Sequence, residues 1–385
     1  MFMSRLRVAI VTECALSRKH GTGAQLLQLV DGAPFDFFHL YLTGEYAGLS
    51  ECANSFRLED PRYRGRGKRF VAPLERALGI NWWNGDRIQP QKLRGLISRH
   101  RLSCDVAYVL VGSEQQAARA GSILGVLDCP YVLHVMDIYH GDGLSREATP
   151  AFARLAENAA SLIAISEPIA AELKKFRPGA VEIMPIVHRA TEVRATHAAN
   201  GTVRVLLMGK PYARGTELLA AAWDGISQRI PGIELAYVGQ QAHGLPPGLQ
   251  RIVRDLGYVS EAGELERLLS GCHLAFLPGP SEPDHFTRFS IPSRISDYLM
   301  AGLPIVATVG AGSATERFLC PLIPASVAAV SSPEQIVAAM EHFAGNPEHW
   351  LAASAAARKF AVEHLSVGAI RERLFDILTQ AAAGH

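Results

Sequence analysis

The stretch Val203–Trp223 reads VRVLLMGKPYARGTELLAAAW. Its first six residues form one apolar run broken only by Arg204, the signature of a strand buried on both faces. Gly209 permits a sharp exit, and Lys210 and Arg214 follow. Gly215-Thr216 then leads into a helix with apolar positions Leu218, Leu219, Ala222 and Trp223. Buried strand, glycine turn and amphipathic helix are the repeating unit of a parallel sheet covered by helices. Two cations at a strand's carboxyl end, beside a helix N-terminus, suit a diphosphate. Read alone, the same two residues serve equally well as solvated loop charges.

The unit recurs in both directions. Downstream, strands are expected at Glu234–Val238, His273–Leu277 and Leu303–Thr308, with helices at Thr216–Arg229, Ala262–Leu269 and Ser293–Ala301. Upstream, strands are expected at Arg7–Thr12, Phe35–Leu42, Asp105–Val111, Tyr131–Val135, Ser161–Ile165 and Val181–Pro185. The helices between them are Thr22–Leu29, Gln89–His100, Glu114–Leu124, Pro150–Ala160 and Glu167–Lys175. The pattern lapses at the polar stretch His188–Thr202, which reads as a linker. From Pro347 to about Ala383 the chain reads as helix, with a break near Ser366-Val367-Gly368. The expected fold class is therefore α/β, with two Rossmann-like, doubly wound domains in series and a helical tail. Two such sheets facing each other would make a cleft.

Composition narrows the function classes. A length of 385 residues suits two domains, and 48% hydrophobic against 19% charged residues gives each a full core. A formal net charge of +1 argues against a general nucleic-acid binder. The six cysteines are scattered without a CxxC pair, so neither a zinc ribbon nor a disulfide framework is expected, and a reducing compartment is. No apolar run reaches the ~18 residues of a membrane span. These features describe a cytoplasmic protein that at most touches the inner membrane face peripherally.

Three further segments extend the reading of Lys210 and Arg214. Leu256-Gly257-Tyr258-Val259-Ser260 precedes a short helix, and Cys272–Pro278 is a strand running into a polar loop. Then Ile291-Pro292-Ser293-Arg294-Ile295-Ser296-Asp297-Tyr298-Leu299-Met300-Ala301-Gly302-Leu303-Pro304 opens a helix at Pro292 and Ser293 and closes it at Gly302. Its N-terminus offers N–H groups to phosphate oxygens, and Asp297 can accept both ribose hydroxyls or simply favour the helix dipole. In order and spacing, G-K-x-x-x-R-G, L-G-Y-V-S, A-F-L-P and P-S-R-I-S-D-Y-L-M-A-G-L-P-I-V-A resemble the donor domain of the GT-B-fold, family 4 glycosyltransferases. The resemblance extends over most of Val203–Arg371 and touches Ala159–Glu167 in the first half.

The resemblance implies a retaining, nucleotide-sugar-dependent glycosyltransferase. Its N-terminal acceptor domain would be residues 1–190, its donor domain 203–365, and residues 366–385 a helix crossing back onto the N-terminal domain. Lys210 and Arg214 would neutralise the donor diphosphate, with Gly209 at the turn. Tyr258 and Val259 would border the base, Asp297 would hold the ribose, and Ser293 and Arg294 would stand beside the phosphates. His134 would face the donor sugar. The co-substrate would be a nucleotide-diphosphate sugar, the acceptor a glycan, lipid-linked saccharide or small molecule, and no cofactor or divalent metal would be obligatory. One departure stands out. The family commonly carries two acidic residues eight apart, and the position eight before Asp297 is Phe289. Glu282, with Asp284 or His285, is the nearest substitute in the preceding loop.

In the N-terminal half, Gly21-Thr22-Gly23 precedes a helix, and Gly23 either admits a ligand close to the backbone or only shapes a tight connection. His134, near the carboxyl end of its strand, is either a site residue or a satisfied core histidine. Glu13, Asp137 and His140 follow strands and are acceptor-side candidates, with Glu13 or Asp137 the base to test if the reaction inverts. Asp60–Arg69, the one basic cluster, and Trp82-Trp83 read as a solvated loop or as a surface for an anionic or lipid-linked acceptor. The rivals are a nucleotide-sugar epimerase on the same architecture, a catalytically degenerate binding subunit, and an NAD-dependent oxidoreductase. The last is disfavoured because Leu26 replaces the third glycine of the G-x-G-x-x-G pattern.

Overall fold

The computed structural model describes residues 5–17, 21–42, 50–58, 90–138, 143–185, 194–197, 201–259, 261–280, 287–322 and 324–384. His140, Glu282, Asp284, His285, the basic cluster 60–69 and Trp82-Trp83 lie outside them, as does most of the expected linker. By its internal contacts the chain forms two units, Met1–Met184 with Arg371–His385 and Pro185–Ile370.

In the first unit, Val8, Ala9, Ile10 and Val11 are all buried, so β1 (Arg7–Thr12) has no solvent face. A strand of this kind needs partners on both edges and helices on both sides. It has them: β1 pairs in parallel with β2 (Asp36–Leu42) and β4 (Val106–Val111). With β3 (Ser55–Leu58), β5 (Tyr131–Val135), β6 (Ser161–Ala164) and β7 (Glu182–Ile183) the order is β3-β2-β1-β4-β5-β6-β7. The helices are α1 (Gly21–Val30), α2 (Pro90–His100), α3 (Glu114–Leu127), α4 (Pro150–Asn158) and α5 (Glu167–Lys174). Ser113 and Ser166 cap α3 and α5 by accepting from the Gln116 and Ile169 N–H groups.

The second unit repeats the plan. Its strands are β8 (Arg204–Met208), β9 (Glu234–Val238), β10 (Val253–Asp255), β11 (Leu274–Pro278), β12 (Ile305–Thr308) and β13 (Val327–Ala329), in the order β10-β9-β8-β11-β12-β13. Every described pairing is parallel. Around the sheet lie α6 (Ala213–Arg229), α7 (Pro247–Gln250), α8 (Ala262–Ser270), α9 (Arg294–Ala301), α10 (Ala314–Leu322), α11 (Pro333–Gly345) and α12 (Pro347–His364). Gly302 ends α9 with φ of +74°, and a β-carbon there would lie 2.6 Å from Ser354 Oγ, so only glycine fits.

In both sheets the chain winds outward one way from the first strand and then returns to build the other side. The switch points lie between β1 and β4 and between β8 and β11. Ligands of doubly wound sheets bind outside the carboxyl ends of strands at such points.

The final helix, α13 (Val367–Ala383), carries the residues that return to the first unit. Arg371 donates to the carbonyls of Gln28 at 2.8 Å and Leu29 at 3.0 Å, and also to those of Asp31 and Gly32. It thereby satisfies the open C-terminal end of α1, where a cation also suits the helix dipole. Phe375 stacks on Phe35 with centroids 6.4 Å apart, and Arg373 reaches Glu182 and the Ile183 carbonyl. Arg371→Ala is expected to lower stability by about 1–3 kcal/mol. Urea unfolding and amide exchange at Gln28–Asp31 read the effect, and an unchanged midpoint with unchanged exchange would refute the capping role.

Candidate functional site

At the switch point of the second unit, Gly209 leaves β8 with φ of +76°, a conformation that glycine adopts without strain. Its N–H donates to the Val238 carbonyl at 2.7 Å, and its carbonyl accepts from the Tyr237 hydroxyl at 2.9 Å. The preceding residue is held from the other side. Met208 N–H donates to the Tyr298 hydroxyl at 2.9 Å, and its carbonyl accepts from Arg294 Nη1. Arg294 Nη1 also donates to the Lys210 carbonyl at 3.2 Å. Arg294 and Tyr298 stand one helical turn apart on α9, so a single face of that helix grips the whole exit of β8.

The cations collect here. Lys210 Nζ and the Arg294 guanidinium each lie 5.9 Å from the centroid of the Tyr212 ring, within range of a cation–π contact. Lys210 and Arg214 are exposed. Arg214 is not in a loop, as the sequence suggested, because α6 begins at Ala213 and puts it in the first turn. A cation there opposes the helix dipole, and no acid occupies that turn to offset it. Gly215 packs so closely that a β-carbon would meet Thr308 Oγ1 at 2.4 Å and Gly279 N at 2.8 Å. The start of α6 therefore rests against the ends of β11 and β12.

Around this core, Gly239 N–H donates to the Gly257 carbonyl at 2.9 Å, which brings the Tyr258-Val259 segment alongside the end of β9. Tyr258 is 54% exposed, unusual for a large aromatic ring. Ser293 is exposed at the start of α9 and makes no side-chain cap. Asp297 is half-buried in the first turn of α9. Phe289 is 2% exposed, a core residue. Arg294, expected beside phosphates, is 8% exposed with its donors on backbone carbonyls, and its Nε has no hydrogen-bond partner among the described residues.

The switch point of the first unit holds a cavity of about 120 Å³, lined by residues that include Thr12, Glu13, Cys14, Thr22, Gln116 and Asp137. Glu13 Oε1 accepts from Arg119 Nη1 at 2.5 Å and Oε2 from Gln116 Nε2 at 3.3 Å. Gln116 Oε1 in turn takes the Gly112 N–H at 2.5 Å. With both carboxylate oxygens engaged, Glu13 anchors the cavity wall. Arg119 and Gln116 escape sequence reading because they lie on a helix more than 100 positions from Glu13. Gly23 sets its α-carbon against the protein's own backbone, where a β-carbon would meet the Ala15 carbonyl oxygen at 2.2 Å.

Among the described residues, the cavity wall does not include His134. Its imidazole is 5% exposed, with Nδ1 2.6 Å from the Tyr108 hydroxyl and Nε2 unpartnered among the described residues. Burial pushes its pKa down to about 3. His39, fully buried between Thr12 Oγ1 at 2.9 Å and Ser55 Oγ at 3.2 Å, is likewise pushed down to about 3 by burial. Thr12 donates to the Cys14 carbonyl, so it accepts from His39, which fixes that proton on Nε2. Among the described residues, no group of three His, Cys, Asp or Glu side chains could hold a metal ion.

No protein family model and no curated protein matches this sequence. Solved structures do match. Anabaena Alr3699/HepE, solved with UDP and glucose, aligns over 97% of this chain and 99% of its own at 13% identity and a TM-score of 0.64. Sucrose-phosphate synthase from Thermosynechococcus elongatus aligns over 99% and 100% at 12% identity and a TM-score of 0.66. Trehalose-6-phosphate synthase OtsA aligns over 97% and 99% at 12% identity and a TM-score of 0.64. The fold is GT-B. The likeness spans both units, so the expected two-domain α/β architecture holds for the whole GT-B chain. Among the described residues, no helix is long and apolar enough to cross a membrane.

The two buried histidines make a pH prediction. Both are neutral in the fold and titrate near the ordinary value of 6.5 when unfolded. Their contribution is complete above about pH 6.5 and is lost as pH falls towards 3, at up to about 1.4 kcal/mol per pH unit for each. His134→Gln, which can still accept from Tyr108, should flatten that acid-side slope by about one proton's share. Urea midpoints at pH 7, 6, 5 and 4 measure it, and a slope identical to that of the unmodified chain would contradict a neutral buried His134.

Proposed function

We propose that this protein is a nucleotide-sugar-dependent glycosyltransferase. The observation that carries the reading is the β8–α6 junction, where Lys210 and Arg214 are exposed beside a helix N-terminus whose first turn holds no acid. An arrangement that adverse to itself is relieved by an anion. HepE, of the same fold, was solved with UDP and with UDP-glucose, which supports a nucleotide sugar as that anion. In this reading the donor binds the Pro185–Ile370 unit. Lys210 and Arg214 neutralise the diphosphate, the Tyr258-Val259 segment borders the base, and Asp297 accepts the ribose hydroxyls.

Transfer breaks the bond between the anomeric carbon and the diphosphate oxygen, and the acceptor hydroxyl oxygen takes its place on that carbon. Cations at the departing oxygens lower the barrier by stabilising charge as it develops. The released proton passes to the leaving phosphate if configuration is retained, and to Asp137 if it is inverted. Positive side chains do the neutralising, so the reaction needs no divalent metal in this scheme. The acceptor, a glycan, lipid-linked saccharide or small hydroxyl compound, belongs with the cavity of the first unit near Asp137. His134, buried away from the cavity wall, serves this scheme as a core residue.

A second reading rests on Phe289. Where the resembling family carries its donor-side acid, this chain has a core phenylalanine, as a partner-binding subunit that has lost catalysis would. Thermal denaturation with UDP, GDP, ADP and their sugars separates the two. One nucleotide class at a hundredfold excess over its Kd should add ~2.7 kcal/mol, and Lys210→Ala and Asp297→Ala should each abolish the shift. Release of the sugar from that donor, with or without acceptor, should follow. Binding without turnover would favour the degenerate subunit, and no shift with any nucleotide would refute the transferase and leave the partner-binding subunit.

A further inference from the structure

Cys104 and Cys129 stand 25 positions apart in the sequence, yet their sulfurs lie 3.3 Å from each other. The fold imposes the meeting. Cys104 enters β4 and Cys129 enters β5, and these strands pair in parallel with Ala107 opposite Tyr131. Each cysteine sits on a fixed support. Behind Cys104, Asp105 accepts from the Arg7 N–H at 2.8 Å and from its guanidinium at 2.7 Å, and Ser103 Oγ accepts from the same guanidinium at 2.5 Å. Beside Cys129, Asp128 ends α3 in the left-handed conformation, and the Pro130 carbonyl accepts from Ala107 N–H at 2.8 Å. Both cysteines are half-buried.

We propose that Cys104 and Cys129 form a thiol–disulfide exchange site, a dithiol that a low-molecular-weight disulfide converts to an internal disulfide. Bringing the sulfurs from 3.3 Å to the ~2.05 Å of a bond needs little backbone movement. Either sulfur of this pair can be the donor. With Cys129 donating, that bond, aided by Arg7 and opposed by burial and Asp105, holds Cys104 below the ordinary thiol range and makes it the attacking sulfur. The Cys104 thiolate attacks one sulfur of the reagent, whose S–S bond breaks and releases one thiolate. Cys129 then loses its proton and attacks Cys104 Sγ, releasing the second. Two protein thiols and one reagent disulfide become one protein disulfide and two reagent thiols, so atoms and electrons balance. The loop so closed contains β4 and α3, the helix that presents Gln116 and Arg119 to Glu13. The inference rests on this geometry and not on the proposed activity.

The test uses the full chain, folded by circular dichroism, equilibrated in oxidised and reduced glutathione mixtures and then quenched with iodoacetamide. Peptide mass spectrometry should find Cys104 linked to Cys129, about 2 Da lighter than the dithiol, while Cys14, Cys52, Cys272 and Cys320 remain alkylated. In Cys129→Ser, Cys104 should accumulate as a stable mixed disulfide with glutathione, because the resolving thiol is gone. In Cys104→Ser, Cys129 should react at least ten-fold more slowly. Free thiols at both positions in the most oxidising mixture would overturn the proposal. So would linkage of either to another cysteine, or equal reactivity of the two single variants.

Discussion

The exit of β8 is the constraint on which the second unit turns. A strand buried on both faces can do no chemistry along its length, so its polar work is confined to the residue where it ends. Here that residue is Met208, and α9 takes both of its backbone groups, the N–H through Tyr298 and the carbonyl through Arg294. Tyr237 then takes the carbonyl of Gly209. Three side chains thus fix two residues of backbone, and Lys210 can project only from the turn they define. The hydroxyls of Tyr237 and Tyr298 act as geometric pins, and full burial of Tyr298 gives its hydroxyl no water to choose instead. Burial also raises both phenols above their ordinary pKa, which keeps the pins neutral at any ordinary pH.

The first unit handles the same problem differently. At its switch point the pins are charged, Arg119 on one side of Glu13 and Gln116 on the other. Removing one member of such a set leaves a half-buried charge without its partner, which is costlier than never having had the pair. The arrangement therefore defends its own geometry. His39 and its hydroxyl neighbours make a parallel case in neutral form, where Ser55 at the start of β3, His39 in mid-β2 and Thr12 at the end of β1 tie the three strands together. Both devices leave the edge of the cavity rigid.

Much of this was legible in the sequence, and the failures have physical causes. Central strands such as Arg204–Met208 and Glu234–Val238 announce themselves because burial on two faces demands uninterrupted apolar residues. The edge strands β3, β10 and β13 carry SFRL, VRD and VAA, too short or too polar to stand out, because an edge has one solvated side. The site divides the same way. Gly209 and Lys210 follow a strand directly and are visible from local chemistry. Arg119, Tyr237 and Tyr298 act through partners distant in sequence, and nothing local distinguishes them from ordinary helix or core residues. His134 shows the limit from the other side, since its place near a strand's end is legible in the sequence while its partner, Tyr108, 26 positions away, is not.

Arg294 joins these threads. A guanidinium spending its donors on the Met208 and Lys210 carbonyls has fewer for a ligand, which makes it first a fastener of the β8–α6 turn. Its charge is not thereby spent. Hydrogen bonds to carbonyls leave the guanidinium positive, and burial lowers the dielectric through which that charge is felt. A lysine has neither the planar fork to hold two carbonyls nor the reach to keep its charge in the same place while doing so. The fastener role and an electrostatic role are therefore one interaction seen from two sides. The same guanidinium that shapes the turn adds to the positive field in which Lys210 and Arg214 stand, and only arginine among the natural side chains supplies both.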